Sequence, residues 1–288
     1  MADDTKLLSV KYDLVFKLIF GDQRNTDILA SFLKSVLDIP EKEYDLITVV
    51  DPYVKADYPG DKYGILDVKI HTKSGQVIHT EIQVEPLPEM TQRSLYYQSK
   101  MLTEQIGSGQ NYPLIKRVVS ILITGYEWPQ LKVSGRYHHQ FRYRTGDGIE
   151  LTDLVEINTL ELTKLPLETD KTELWNWMRF METTDKEELN MLATKTPELK
   201  KAVGVLKELS ADERTRMIAE DREKARRDMA SRLNGAREEG REEGREEGRE
   251  EGREEGKIEY AQKMKELGFS VENIRAVTGF SEDTIENL

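Results

Sequence analysis

Three observations in the sequence predict an α/β module followed by an all-helical region. Up to about residue 166, the apolar patterns run in the order helix, strand, hairpin, helix, strand. From about residue 170 the spacing is helical and strand patterns end. The chain of 288 residues is also 33% charged and only 38% hydrophobic, which predicts that part of it is extended or solvated.

Composition excludes several classes of protein. The chain has no cysteine, so disulfides and cysteine-based zinc or nucleophile chemistry are excluded. Its start lacks the basic and apolar segments of a signal peptide, and no stretch approaches the roughly 18–20 apolar residues of a membrane span. We therefore expect a cytoplasmic protein that does not associate with membranes.

The net charge of −12 argues against general affinity for nucleic acids, which requires a basic surface. The charge is unevenly distributed, however. Residues 116–144 carry six lysines and arginines against Glu127 alone. An acidic total is therefore compatible with a locally basic cleft.

The first elements are two helices and a strand. Residues 12–38 have apolar side chains at helical spacing, interrupted at Gly21-Asp22, and Pro40 ends the pattern. Asp13 has two interpretations, as the N-cap of the first helix or as an acidic helper in a functional site. Residues 45–54 predict the first strand.

The segment "GILDVKIHTKSGQVIHTEIQVE", residues 64–85, predicts a β-hairpin because apolar and polar residues alternate. One predicted face carries Leu66, Val68, Ile70, Ile78, Ile82 and Val84. The other carries Asp67, Lys69, His71, His79, Glu81, Gln83 and Glu85. A three-residue loop, with Gly75 at the position of positive φ, keeps both faces uniform. It pairs Leu66 with Ile82 and Ile70 with Ile78, and it sets Asp67 opposite Glu81.

Facing carboxylates on adjacent strands have Cβ atoms about 5 Å apart and repel each other unless a cation lies between them. Two interpretations follow for Asp67 and Glu81. The first is a solvated outer face on which two acids happen to be paired. The second is a site for a hard cation such as Mg²⁺, which in proteins takes one or two carboxylates together with water and substrate phosphates.

The remaining patterns complete the module. Residues 90–106 predict a helix, 117–125 a buried strand, and 136–144 and 156–165 further strands. In the helical region that follows, an aromatic-rich cluster is predicted to pack against the module; it comprises Trp175, Trp177, Phe180 and Met181.

The spacing from Asp67 to Glu81-Ile82-Gln83 resembles the PD-(D/E)XK nuclease motif, with glutamine where lysine is usual. Together with residues 12–21 and 93–126, it resembles the Rpn family of recombination-promoting nucleases and putative transposases. The resemblance implies a restriction-endonuclease-like core, with a mixed sheet flanked by helices, and a metal-dependent DNA endonuclease. It implies that Asp67 and Glu81 hold a divalent metal, most often Mg²⁺ with Mn²⁺ or Ca²⁺ as alternatives. The carbonyl of Ile82 is a candidate third ligand, and Gln83 would orient the attacking water.

The glutamine at position 83 leaves a second functional hypothesis open, a catalytically weak or inactive nuclease-fold module that acts in binding or assembly. Glutamine orients water only by hydrogen bonds and brings no charge. Lys69 shares the predicted face of Asp67, so it either supplies the missing charge or is an ordinary solvated lysine.

Two further segments have both a functional and an ordinary interpretation. Arg93 and Tyr97 are i, i+4 neighbours, with Gln98 beside them, and either face the scissile phosphate or belong to an ordinary amphipathic helix. The strand "RYHHQFRYR", residues 136–144, either contacts DNA or is an exposed edge strand.

The C-terminal part begins with five copies of "REEG" in residues 237–256, which predict a solvated, partly flexible helical spacer. Residues 257–288 predict short helices capped by Ser270 and Ser281, and they resemble the helix-turn-helix endings of Rpn-like proteins. The last helix offers acidic rather than DNA-reading side chains, which favours partner binding or self-association into a homodimer or larger assembly. The predicted domains are 1–166 for the nuclease-like domain, 167–234 for a helical region packing on it, 235–256 for the spacer and 257–288 for the tail.

Overall fold

The computed structural model of the chain describes residues 7–50, 53–54, 64–65 and 67–288. The chain divides into two compact units, residues 1–223 and residues 224–288. Within the described ranges, no helix combines the length and the apolar character needed to cross a membrane.

The first unit contains eight strands and six complete helices among its described residues. The strands are β1 (Thr48–Val50), β2 (Tyr53–Val54), β3 (Gly64–Ile65), β4 (Val68–His71), β5 (Val77–Gln83), β6 (Val118–Thr124), β7 (His138–Arg144) and β8 (Glu150–Glu161). The helices are α1 (Asp13–Phe20), α2 (Thr26–Val36), α3 (Met90–Thr103), α4 (Glu173–Glu182), α5 (Lys186–Leu192) and α6 (Pro197–Ala211). A longer helix, α7 (Glu213–Glu266), follows them.

Six of the strands form one mixed sheet in the order β1-β4-β5-β6-β8-β7. The pairs β5–β6 and β6–β8 are parallel, and the pairs at both edges are antiparallel. Strands β2 and β3 pair with each other in a separate two-stranded sheet. The predicted α/β architecture, a mixed sheet with flanking helices followed by helices only, is confirmed.

The predicted register of the hairpin is confirmed where the structure describes it. Ile70 pairs with Ile78, and the amide of Thr72 donates to the carbonyl of Gln76 at 3.0 Å, which leaves the predicted three-residue loop. Gly75 has φ of 84°, the left-handed conformation that the loop requires. The predicted partner of Ile82, Leu66, lies outside the described residues.

The polar face of the hairpin is covered by protein, so the interpretation as a solvated outer face is wrong. Helix α3 lies over this face, and Tyr97 and Met101 form a buried cluster with Val77 of β5 and Val118 of β6. The consequence is that Lys69, His79 and Glu81 lie buried between the sheet and α3, whereas His71 at the end of β4 is exposed. The buried side chains need partners there, because burying a charge without one is costly.

The opposite face of the sheet packs on the large core of the first unit. Phe20 of α1, Phe32 of α2 and Trp177 of α4 form tilted and edge-on ring contacts, with centroids 5.5 to 6.3 Å apart. The four residues predicted to pack on the module are buried in this same core, namely Trp175, Trp177, Phe180 and Met181. Helices α4 to α6 therefore share one core with the sheet.

The second unit contains the repeats and the tail. The REEG repeats lie within α7, and the side chains of residues 231–255 are all exposed. Two short helices follow, α8 (Val271–Thr278) and α9 (Glu282–Glu286), and the hydroxyls of Ser270 and Ser281 cap them as predicted. A small core comprises Ala261, Ile274 and Ile285. The four-part division proposed from the sequence stays a prediction.

Candidate active site

Asp67 lies one residue before β4, so it continues the hairpin without being part of the backbone ladder. The direct strand pairing of Asp67 with Glu81 that the sequence predicts is therefore replaced by a side-chain contact. Asp67 Oδ2 accepts a hydrogen bond of 2.8 Å from the amide of Ile82, and Asp67 Oδ1 lies 3.1 Å from Lys17 Nζ. Burial raises the pKa of Asp67, although the Ile82 amide and the Lys17 charge act in the opposite direction.

Glu81 lies within β5 and is buried under α3. Its Oε1 accepts a hydrogen bond of 2.8 Å from Arg93 Nη2 of α3. Among the described residues its Oε2 has no hydrogen-bond partner, and His79 Nε2 stands 3.9 Å from it. Burial alone would raise the pKa of Glu81, but the neighbouring imidazole and the Arg93 guanidinium outweigh burial and lower the pKa.

Gln83, at the end of β5, directs its side chain along its own strand. Gln83 Nε2 donates to the carbonyl of Glu85 at 2.9 Å. The chain next to this end of β5 is tightly packed, because a Cβ on Gly125 would meet the carbonyl oxygen of Val84 at 3.0 Å. The amide of Gln83 therefore has a partner within the protein. Its role in orienting the attacking water stays a prediction.

Lys69 is only 7% exposed, so its interpretation as a solvated strand lysine is wrong. Its ammonium forms an ion pair with Glu104, the C-cap residue of α3. It also faces His79 in the ladder between β4 and β5. A role for Lys69 in supplying the charge that Gln83 lacks stays a prediction, but the lysine that contacts Asp67 is Lys17.

Asp13 is not the N-cap of α1, because Tyr12 occupies that position and Asp13 is the first helical residue. Its carboxylate contacts Lys17 one turn later, with Asp13 Oδ2 lying 3.0 Å from Lys17 Nζ. Lys17 thus bridges Asp13 and Asp67. Burial lowers the pKa of Lys17, but the two aspartates outweigh this effect and raise its pKa overall.

Arg93 and Tyr97 are in contact, as their i, i+4 spacing predicts. The guanidinium of Arg93 lies over the ring of Tyr97, 5.3 Å from its centroid, while it donates to Glu81. The neighbouring Gln98 is buried and donates to the carbonyl of Glu156 at 2.8 Å, which fastens α3 to β8. Arg93 is therefore placed at the site, Tyr97 supports it, and Gln98 holds the helix on the sheet.

Strand β7 is an edge strand, and its arginines are paired with acids of β8. Arg142 Nε lies 2.8 Å from Glu156, and Arg144 Nη2 lies 3.1 Å from Glu150. Phe141 on the same strand is an exposed aromatic side chain. These ion pairs reduce the positive charge that the sequence of the strand suggests, which favours the interpretation as an edge strand.

Lys17 and His79 are the two residues at the site to which the sequence did not assign a role. The i, i+4 spacing of Asp13 and Lys17 indicates their mutual contact but not that Lys17 reaches Asp67. The position of His79 two residues before Glu81 places both on one face of β5, which is the available signal for its proximity.

The donor chemistry of the site fits a divalent cation. In the described part of the chain, no group of three or more His, Cys, Asp or Glu side chains is arranged to hold a metal. The carboxylates of Asp67 and Glu81 nevertheless lie near enough for the charge of Glu81 to raise the pKa of Asp67, and Glu81 Oε2 is a buried oxygen without a hydrogen-bond partner among the described residues. Two carboxylates completed by water and substrate phosphate are what Mg²⁺ accepts in proteins.

A comparison with protein-family models matches residues 10–236 to the PD-(D/E)XK nuclease family transposase model. Because the match covers most of the chain, the protein belongs to this family of nuclease- and transposase-related proteins, and its core is restriction-endonuclease-like. The matched range includes Lys17, Asp67, Glu81, Gln83 and Arg93. Neither the curated proteins nor the solved structures compared with the chain gave a match.

Proposed function

We propose that the protein is a divalent-metal-dependent DNA endonuclease that acts in recombination or in the movement of mobile elements. The observation that carries this proposal is the proximity of two largely enclosed carboxylates, with Glu81 buried and Asp67 accepting from the amide of the next residue, Ile82, within a chain of this family. Two acids cost stability when they are buried together, so an arrangement that served packing alone would use apolar residues.

Asp67 and Glu81 are the residues that would hold the metal, with the carbonyl of Ile82 as a candidate third ligand. A bound Mg²⁺, or Mn²⁺ or Ca²⁺ in its place, supplies positive charge to the phosphodiester and lowers the pKa of a bound water. The chain itself keeps the acids in place, because the Ile82 amide holds Asp67 and Arg93 holds Glu81. Gln83 orients the water through its amide group.

A second candidate function is a nuclease-fold module that has little or no activity and acts in binding or assembly. Two observations favour it. Gln83 Nε2 is already engaged with the carbonyl of Glu85, and each acid already has a cation beside it, Lys17 for Asp67 and Arg93 for Glu81. In this case the contacts would form a structural ion-pair network.

An assay of the full-length chain on supercoiled plasmid DNA separates the two functions. We expect nicking in the presence of Mg²⁺, Mn²⁺ or Ca²⁺, its abolition by EDTA, and its loss in Asp67→Ala and Glu81→Ala. Asp153→Ala is the matched control, because it removes an exposed carboxylate from β8 outside the site. Absence of nicking by the unchanged protein with all three metals contradicts the endonuclease proposal and favours the assembly module.

The proposal also covers location and assembly. We expect a cytoplasmic protein with DNA as its substrate. We also expect a homodimer or a larger assembly formed through the C-terminal helical residues.

A further inference from the structure

We propose that Lys17 of α1 provides the positive charge that the glutamine at position 83 lacks. In this proposal the ammonium of Lys17 binds the scissile phosphate beside Asp67. The inference rests on the proposed endonuclease function and adds to it a residue that contacts the substrate. It is carried by the position of Lys17 between Asp13 and Asp67.

The ammonium of Lys17 is fixed at the site by two carboxylates. It lies 3.0 Å from Asp13 Oδ2, one helical turn away, and 3.1 Å from Asp67 Oδ1. A lysine ammonium has three N–H donors, and these contacts account for two of them. The side chain is 29% exposed, so the third donor has access to a ligand that approaches from solvent. A phosphate oxygen is the kind of acceptor that this donor would take.

The other cations near the hairpin have different partners. Lys69 is paired with Glu104, and Arg93 is paired with Glu81. Within the described ranges, Lys17 is the cationic residue in an ion pair with Asp67. At position 83 there is a glutamine whose amide nitrogen donates to the carbonyl of Glu85. The positive charge at the Asp67 end of the site therefore comes from a different element, α1, instead of β5.

Asp13 has a defined part in this arrangement as a positioning residue. It is exposed, and its carboxylate accepts a hydrogen bond of 3.0 Å from the same ammonium that contacts Asp67. Helix α1 thus brings an acid and, one turn later, a lysine to the site as a unit. In this proposal Asp13 is an acidic helper because its carboxylate orients the ammonium of Lys17.

The test is the plasmid-nicking rate of Lys17→Met measured against a matched control. Lys11→Met is that control, because Lys11 is 26% exposed, lies near the same helix and forms an ion pair of 3.1 Å with Glu182 away from the site. We expect Lys17→Met to lower kcat by about 100-fold, the usual effect of removing one donor to a transition-state charge, with KM changed much less. We expect Lys11→Met to retain the kcat of the unchanged protein.

Two further variants separate a charge at the site from a role in folding. Lys17→Arg keeps the charge and should retain most of the activity. Lys17→Met combined with Gln83→Lys moves the charge back to β5 and should recover at least about tenfold of the lost kcat. A structural role would show no such recovery, because Gln83→Lys repairs no contact of α1. If circular dichroism shows that Lys17→Met is unfolded, the nicking rates are compared with Lys17→Gln in its place.

Calorimetric titration with Mn²⁺ gives a readout that does not depend on cleavage. Lys17 and the metal compete for the charge of Asp67, so Lys17→Met should bind Mn²⁺ several-fold more tightly than the unchanged protein. Nicking by Lys17→Met within twofold of the unchanged protein, or weaker metal binding by the folded variant, overturns the inference about Lys17 alone. If the unchanged protein does not nick DNA with any of the metals, the proposed function falls, and the inference falls with it.

Discussion

The carboxylate of Asp67 is held by the backbone of the neighbouring strand, with Oδ2 accepting a 2.8 Å hydrogen bond from the amide of Ile82. The backbone ladder of the hairpin ends at the pair Val68–Thr80, so the side chain of Asp67 satisfies an amide just beyond that end. One oxygen of the acid is therefore fixed by the fold itself. In the proposed endonuclease this contact gives Asp67 a defined position, as catalysis by positioning requires.

Asp67→Ala is expected to abolish nicking and also to destabilise the fold. The hairpin sequence by itself predicts a different effect on stability. Removing one acid from a repelling pair would leave the free energy of unfolding unchanged or slightly raised. The contacts favour the opposite outcome, because the variant leaves the buried Ile82 amide without its acceptor and removes one of the two carboxylates that Lys17 contacts. We expect a loss of about 1–3 kcal/mol in the free energy of unfolding, measured by urea denaturation.

Asp67→Asn is the matched variant for this prediction. It keeps an oxygen that accepts from the Ile82 amide but removes the charge, so it should be more stable than Asp67→Ala and equally inactive. Equal stability of the two variants would show that the hydrogen bond contributes nothing measurable.

Glu81→Ala should also abolish nicking and should leave the fold intact. Glu81 has its ion pair with Arg93, whose side chain is partly exposed and gains water when the acid is removed. We therefore expect a smaller loss of stability than for Asp67→Ala, again by urea denaturation. Unchanged nicking by the purified variant would remove Glu81 from the active site.

Gln83→Lys is expected to retain or raise the nicking rate, because it adds a positive charge beside the two acids. The new ammonium can donate to the carbonyl of Glu85 as the glutamine amide does. It also competes with the metal for Glu81, so the metal affinity is measured by calorimetry in parallel. Complete loss of nicking with unchanged metal affinity would contradict the water-orienting role assigned to Gln83.

The hairpin shows which features of the site local sequence determines. Alternation and the position of Gly75 are sufficient to predict the register that pairs Ile70 with Ile78, because a shift of one residue would exchange the two faces. The same local pattern identifies Asp67 and Glu81 as neighbours. The burial of Glu81 is not in the pattern, since it depends on α3, a separate element, folding over the polar face.

The lysines show what local sequence does not determine. Lys69 shares the face of Asp67 in the sequence pattern, yet its partner is Glu104 at the end of α3. Lys17 is fifty residues from Asp67 in the chain, and their contact depends on how α1 packs beside β4. Long-range ion pairs of this kind depend on tertiary packing. Helical spacing therefore predicts the contact of Lys17 with Asp13 but not its contact with Asp67.

Glu156 supports a prediction about pH. Its carboxylate is 1% exposed and contacts Arg117 at 2.5 Å and Arg142 at 2.8 Å. Burial raises its pKa, but hydrogen bonds from Asn158 and Gln140 and the two arginines outweigh burial and lower the pKa below its ordinary value of 4.5. The stability that this group contributes is therefore complete above pH 4.5 and is lost as the pH falls through the lower pKa of the folded state.

Glu156→Gln should lower the free energy of unfolding at pH 7 by about 3 kcal/mol, because it leaves the two arginines with a neutral partner. The difference from the unchanged protein should stay constant down to about pH 5 and should shrink at lower pH, as the native carboxyl becomes protonated. Urea denaturation at several pH values measures it. A difference that does not depend on pH would show that the lost stability comes from packing and not from the charge.

The last prediction concerns assembly through the second unit. Its small core of Ala261, Ile274 and Ile285 leaves several large apolar side chains exposed on the same unit, namely Tyr260, Leu267, Phe269 and Val277. Residues 257–288 number fewer than the roughly 40 below which domains usually need outside help to be stable. We therefore expect these side chains to be covered by a second copy or by the first unit of the same chain, with the full-length protein at least dimeric.

Light scattering on the full-length chain and on a chain truncated after residue 234 tests this expectation. The truncated chain should remain folded, because the sheet and the Trp177 core lie upstream and residues 231–255 are exposed. It should be monomeric at micromolar concentration, where the full-length chain is a dimer or larger. Leu267→Glu with Val277→Glu places charges on the exposed side chains without touching the small core, and it should convert the full-length chain to a monomer. Equal masses per molecule for the full-length and truncated chains, each as a monomer, would contradict assembly through the tail.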